Sequence, residues 1–307
     1  MISKFFSTSK PIHLVLVSLY ILVVYVFVKL TPFPDTMNIE SFAIDVLMFG
    51  VIFFSISVLA FFVTKNTLTQ RNSFKILFYV LLLAMLPMAF ENNNILLANL
   101  FVILALRRIF SLRSHQNVKK KLFDAAFWIT IAALFYFWAI LFLAIIFAAL
   151  LLFSNDEIKN WIIPFIGFFC VMMLVFCYVI LTSGDLSDAL LIIEPLNFDF
   201  SAYNDISFVT GITILLSLGL WATFFYIKGI SDKPKQFRSS HLLVLYTTAL
   251  AAVIIIITPD KNGSEFIFLA TPLAIIMTNF IEGLSERWFS EIFIWLLILT
   301  PIAKLFI

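Results

Sequence analysis

The sequence predicts an all-α fold, a polytopic bundle of transmembrane helices in a single integral membrane domain over residues 1–307. Three observations predict it. Of the 307 residues, 63% are hydrophobic and 12% charged, with a mean hydropathy of +1.08; a soluble domain carries roughly 45–50% apolar and about 25% charged residues. The apolar residues fall in runs close to the ~20 that a helix needs to cross a hydrocarbon core. The few charges are sorted between alternate connections, as bilayer-spanning chains sort them.

Taken in order, Lys4 and Lys10 precede the first run, 12–30. That start resembles a signal peptide, but no small-x-small cleavage site follows. Thr31-Pro32-Phe33-Pro34 comes instead, so the run reads as a retained first span. The runs 42–63, 161–183, 207–227, 241–258, 264–282 and 288–306 each suffice for one span. Residues 74–90 and 95–110 read as two shorter helices, broken by the polar turn signal Glu91-Asn92-Asn93-Asn94. Pro87, Pro272 and Pro301 should kink their spans, whereas Pro164 stands in a first turn that tolerates it.

The run 123–153 would measure roughly 46 Å as one helix, against a core about 30 Å thick. It is either one steeply tilted helix or a short helical hairpin turning near 136–139, whose arms of about 15 residues either cross fully or form a re-entrant pair. Charge decides, because short cytoplasmic loops collect Lys and Arg. With the hairpin, every basic residue except Lys29, Lys261 and Lys304 falls in inside segments. With a single helix, the loop 184–206, which has no Lys or Arg, moves inside and the cluster at 228–238 moves out. The expectation is therefore about eleven membrane segments (9–11), with the N-terminus cytoplasmic and the C-terminus periplasmic in a bacterial inner membrane.

The counts also exclude functions. The chain has 20 basic and 18 acidic residues, too balanced for nucleic-acid binding, and no Gly-rich phosphate loop. His13, His115 and His241 are isolated and lack ligand spacing, so no metal centre built on histidine is expected. Cys170 and Cys177 would stand roughly 10 Å apart along one helix, too far for a disulfide. They read as small core hydrophobes.

The remaining chemistry rests on carboxylates. Asp35, Glu40, Asp45, Glu91, Asp185, Asp188, Glu194, Asp199, Asp205, Asp260 and Glu265 all fall on the outer side. Outer loops that lose Lys and Arg leave acids behind, which explains much of this. The sharper reading is that outer loops converge on an acidic cleft, where carboxylates act as general bases or hold Mg²⁺ or Mn²⁺. Asp45 sits a few positions inside a span, where a charge is costly unless it faces a cavity, a partner or the helix dipole. Asp35 follows two prolines that stiffen its loop. Asp35, Glu40, Asp45 and Glu91 are thus the candidate catalytic residues. On the inner side, Arg107, Arg108, Arg113, Lys119, Lys120 and Lys121 are candidates for a lipid headgroup or phosphate, each contributing about 1 kcal/mol near an anionic leaflet.

The segment Asn94-Ile95-Leu96-Leu97-Ala98-Asn99-Leu100-Phe101-Val102-Ile103-Leu104-Ala105-Leu106-Arg107-Arg108-Ile109 is followed by Lys121-Leu122-Phe123-Asp124-Ala125-Ala126-Phe127 and Leu134-Phe135-Tyr136-Phe137. It resembles an uncharacterised family of inner-membrane proteins of Bacteroidota. More loosely, residues 1–180 resemble the membrane half of polyprenyl-phosphate-dependent glycosyltransferases of the C superfamily. That second resemblance implies Asp35 or Glu40 as the base, Glu91 as a second acidic position, and a polyprenyl-phosphate-linked sugar as substrate.

Three functions fit. One is a non-catalytic subunit or lipid-binding scaffold in envelope assembly, which needs only apolar faces and basic inner loops. Another is a glycosyltransferase-like enzyme at the outer face, with Asp35 orienting the acceptor hydroxyl. The third is a lipid or small-molecule transporter, which would call for inverted halves and buried charges. The expected partners are membrane lipids, a polyprenyl-linked substrate and proteins within the membrane, with no nucleic acid and no cofactor beyond the divalent cation a transferase would take.

Overall fold

The computed structural model describes residues 2–31, 39–153, 157–182, 196–204, 206–259, 261–284 and 286–304. Among them the chain is helical without strands. The α-helices are α1 (Ile2–Phe6), α2 (Pro11–Leu30), α3 (Ile39–Lys65), α4 (Phe74–Ala84), α5 (Pro87–Glu91), α6 (Asn93–Phe110), α7 (Val118–Phe135), α8 (Leu143–Leu152), α9 (Ile158–Thr182), α10 (Ile206–Ile230), α11 (Lys235–Ile257), α12 (Ile267–Gly283) and α13 (Arg287–Lys304). Seven helices are long and apolar enough to cross a membrane, and three further apolar stretches, Phe74–Ala84, Phe137–Leu152 and Trp288–Ile302, are shorter.

Local chemistry sets the boundaries. Pro11 opens α2 at its first position, where the missing N–H costs nothing. Asn92 caps α6, its side chain accepting from the Ile95 N–H at 3.2 Å. The expected break at 91–94 thus narrows to a single residue. A second break falls inside the expected helix 74–90, at Met85–Leu86, and Pro87 then begins α5. The turn from α6 to α7 needs left-handed backbone at His115 and Asn117 (φ 52° and 51°).

α4 and α12 pack against each other at the centre. All eleven residues of α4 are buried, as are nearly all of α12. On one flank α3, α6, α7 and α9 follow in succession; on another, α10 packs on α12, α13 packs on α10 and α4, and α11 packs on both α12 and α8. Hydroxyls inside the helices bond their own chain four residues back, as Ser55 to the Val51 carbonyl (2.8 Å) and Thr278 to that of Ala274 (2.6 Å). This satisfies polar atoms where water is excluded.

The run 123–153 is a hairpin. α7 ends at Tyr136, whose extended backbone (φ −147°, ψ 104°) breaks the helix; a 3₁₀ turn over Phe137–Phe142 follows, and α8 returns. Leu152 and Phe153 share a cavity lining with Arg113 and His115, from the turn that starts the hairpin. Lys119 Nζ also stands 4.0 Å from Glu157 Oε2. Both ends of the run therefore lie at the same end of the bundle. The cysteines correct the reading as core residues: Cys170 is half-buried and Cys177 exposed, both unbridged on α9. α9 turns its apolar surface outward, where a bilayer serves as the apolar phase that a soluble protein finds only in its core.

Candidate functional site

Contacts sort the connections between helices onto two ends. At one end, the Ser3 hydroxyl bonds Glu291 (2.7 Å), His13 Nδ1 meets Ser73 Oγ (2.8 Å), and Arg113 reaches Thr67 Oγ1 (3.4 Å). Lys233 Nζ donates to Asn279 Oδ1 at 3.0 Å, and the Gln70 N–H donates to Glu282 Oε1 at 2.9 Å. These are the segments expected inside, and this is the basic end. At the acidic end, Asn197 bonds the backbone of Ile257 and Pro259, and the Tyr136 hydroxyl meets Thr258 Oγ1 at 2.5 Å.

Of the expected catalytic carboxylates, the three that are described, Glu40, Asp45 and Glu91, take separate places at the acidic end. Asp35 lies outside the described residues, as do Asp185, Asp188, Glu194, Asp205 and Asp260. Glu40 is exposed in the first turn of α3. Asp45 is half-buried and paired with Lys29 at 2.9 Å, and the Tyr25 hydroxyl donates to its backbone carbonyl (3.2 Å). Glu91 is exposed and lines an open cavity of about 540 Å³ with Met88, Asn92, Asn93, Asn94 and Asn262. Asp45 does not line that cavity, although the two sites are neighbours: the Tyr25 ring meets Phe90 edge-on at 5.7 Å. Among the described residues no group of three or more His, Cys, Asp or Glu is placed to hold a metal ion.

Two of the three outer-side lysines, Lys29 and Lys261, serve the fold. Lys29 pairs with Asp45. Lys261 is buried, and its ammonium donates to the carbonyls of Asn197 (2.8 Å), Ile256 (2.9 Å) and Thr258 (2.6 Å), closing the end of α11. Burial pushes Lys261 below the ordinary lysine range, against the pull of Glu265 and Asp199. Asp199 is held low by hydrogen bonds from Ser201, and burial together with the Glu265 carboxylate pushes the Tyr203 phenol up. The Tyr203 hydroxyl donates to Glu265, which also accepts the Gly263 N–H at 3.0 Å.

The basic residues near the turn from α6 to α7 divide among several duties. Arg107 lies over the Phe61 ring, Arg108 pairs with Asp124 at 2.9 Å, and Arg113 lies over Phe237. Lys121 is buried, its ammonium bonding the Ser111 carbonyl (2.6 Å) and Ser114 Oγ (2.7 Å). Lys119 and Lys120 are exposed. Of these, Arg113 lines a cavity of about 480 Å³ with His115, Leu152 and Phe153.

A more enclosed site stands beside them. A cavity of about 500 Å³ opens at the basic end between the termini of α10, α11 and α12 and the loop before α4. Phe225, Tyr226 and Phe280 form its apolar wall, while Lys228, Asp232, Lys233, His241, Asn279 and Glu282 supply its polar lining. The Tyr226 hydroxyl and His241 Nδ1 meet at 2.7 Å, both side chains buried. Arg238 donates to the carbonyls of Lys233 (2.9 Å) and Ser231, fixing the turn that carries Lys233.

The chain belongs to a family of unknown function, DUF6427, whose model matches residues 1–306. No curated protein and no solved structure matches it.

Sequence reasoning missed this cavity for identifiable reasons. Tyr226 and His241 lie fifteen positions apart and meet only because α10 and α11 form a helical hairpin. One signal was available: Asn279 and Glu282 stand one turn apart near the end of the expected span 264–282, and an ionisable residue inside a span marks a functional site by default.

Proposed function

We propose that this protein is a lipid-binding membrane scaffold, a non-catalytic subunit serving envelope assembly in a bacterial inner membrane. The observation that carries the reading is the basic-end cavity. It combines an aromatic wall with lysines at the end of a membrane-length helix, the level at which lipid headgroups lie. The proposal includes an eleven-segment topology with the basic end cytoplasmic, in keeping with the gathering of Lys and Arg there. The carboxylates at the opposite end serve as fasteners: Asp45 holds α2 to α3, and Glu265 holds the segment at 200–203 to the start of α12.

A second reading, a transferase acting on a polyprenyl-linked sugar, is favoured by one observation. The cavity of Glu91 and four asparagines presents amide groups suited to sugar hydroxyls. One comparison separates the two. Purified protein analysed by native mass spectrometry should retain bound lipid, and stripping that lipid should lower Tm, because a ligand that binds only the folded state stabilises it. Glu91→Gln should leave surface glycans unchanged. A lipid-free chain with unaltered Tm would overturn the scaffold, and glycan loss in Glu91→Gln would install the transferase.

A further inference from the structure

The basic-end cavity holds both signs of charge. Lys228 and Lys233 line it, and so do Asp232 and Glu282. A simple anion would face two carboxylates there, and a simple cation would face two ammonium groups. A ligand carrying both charges satisfies both sets.

Glu282 supplies the second, independent observation. Its Oε1 accepts from the Gln70 N–H (2.9 Å) and from Asn72 Nδ2 (2.5 Å). Its Oε2 is buried and has no hydrogen-bond partner. An unsatisfied buried carboxylate oxygen is costly, more so than a neutral acceptor, and points to a donor supplied from outside. Lys233 is anchored by Asn279, three residues before Glu282 on α12. Residues three apart share a helix face, about 4.5 Å along the axis. Lys233 and Glu282 thus meet the same face of α12, a positive group and an acceptor that the two charges of one zwitterion can occupy together.

The walls say what the rest of the ligand is. Phe225 lines the cavity and is 43% exposed on the outer surface of α10, next to the exposed Phe224 and Ile227. The cavity therefore opens onto an apolar helix face, where acyl chains would lie. A Cβ at either Gly229 or Gly283, both lining residues, would meet nothing within 4 Å, so the mouth is unobstructed. Lys228 stands over the Phe224 ring at 4.2 Å, at this mouth.

We infer that the cavity takes the headgroup of a zwitterionic aminophospholipid, with phosphate against Lys228 and Lys233 and the primary ammonium donating to Glu282 Oε2. The inference rests on the lipid-scaffold reading and names its ligand. The test uses full-length protein in nanodiscs of equal phosphatidylethanolamine and phosphatidylglycerol, with retained lipid read by native mass spectrometry. The wild-type chain should retain the ethanolamine lipid about tenfold over the glycerol lipid, the scale of one charge-assisted hydrogen bond. Glu282→Gln should lose that preference while keeping total retained lipid. Lys228→Gln, at an exposed position whose loss does not threaten the fold, should lower retention of both lipids. Equal retention of the two lipids by the wild-type chain, or unchanged retention in Lys228→Gln, would overturn the inference. Complete displacement of lipid by soluble phosphoethanolamine would show a free polar metabolite as the ligand and likewise overturn it. Absence of any retained lipid would instead remove the scaffold reading beneath it.

Discussion

α9 and α12 differ in the direction opposite to that of a soluble protein. The membrane-length window of α9 has a mean hydropathy of 2.6 and is 11% buried in the molecule; that containing α12 has 1.6 and is 83% buried. The more apolar helix faces outward. Phe169, Met173 and Leu181 of α9 are 64%, 69% and 85% exposed, whereas Thr271, Thr278 and Asn279 stand on the central helix. Water as solvent would drive the reverse order. In a bilayer, lipid tails are as apolar as leucine, so helices associate by close packing and interhelical hydrogen bonds, and polar residues turn inward. The inversion favours a lipid environment on grounds independent of helix length.

The largest test of this contrast substitutes matched phenylalanines. Phe78→Ala in α4, fully buried, should cost about 3 kcal/mol in a denaturant titration in micelles. Phe169→Ala on α9 should stay within about 0.5 kcal/mol. Equal costs would break the comparison, since both side chains would then be packed alike.

An intermediate effect is expected where α9 does touch the bundle. A Cβ on Gly167 would lie 2.9 Å from both the Ala126 Cβ and the Phe123 carbonyl oxygen on α7, the close backbone approach that small residues permit. Gly167→Leu should lower stability by roughly 1–3 kcal/mol, the cost of overpacking. Gly50→Leu, with nothing within 4 Å, is the control and should leave Tm nearly unchanged. A neutral Gly167→Leu would mean that α9 is not held against α7.

The smallest effect belongs to the rim. Lys29 and Asp45 pair at 2.9 Å but are both partly exposed, so Lys29→Met should cost below about 1 kcal/mol, and less at high salt. A loss comparable to that of Phe78→Ala would show that the pair is sealed from solvent and would make Asp45 a site to reconsider.

Much of the fold was legible because lipid imposes a simple grammar. Apolar runs gave helix positions, and α2, α3, α9, α10 and α12 begin and end within about three residues of the expected bounds, whereas α11 starts six residues before its expected start at 241. The break in 123–153 was legible through charge alone, since Tyr136 lacks the Gly or Pro that usually announces a turn. The split at Met85–Leu86 was not, because an apolar run hides a helix break when every residue around it is buried. The sites were harder. Composition drew attention to acidic-end carboxylates, but Asp45 and Glu265 make internal links there, and the basic-end cavity draws on α10, α11, α12 and the loop before α4, whose residues are unremarkable singly.

The sequence by itself determined the apolar helices, the sorting of charge and the hairpin. Each follows from a local rule about length or sign that a bilayer enforces on any chain. Only the tertiary structure decided which helices are interior, that Lys29, Lys121 and Lys261 are committed to internal partners, and that His241, Asn279 and Glu282 face one cavity with Lys228 and Lys233. Those outcomes depend on which polar atoms find partners across helices, a property of the packed assembly and not of any run of residues.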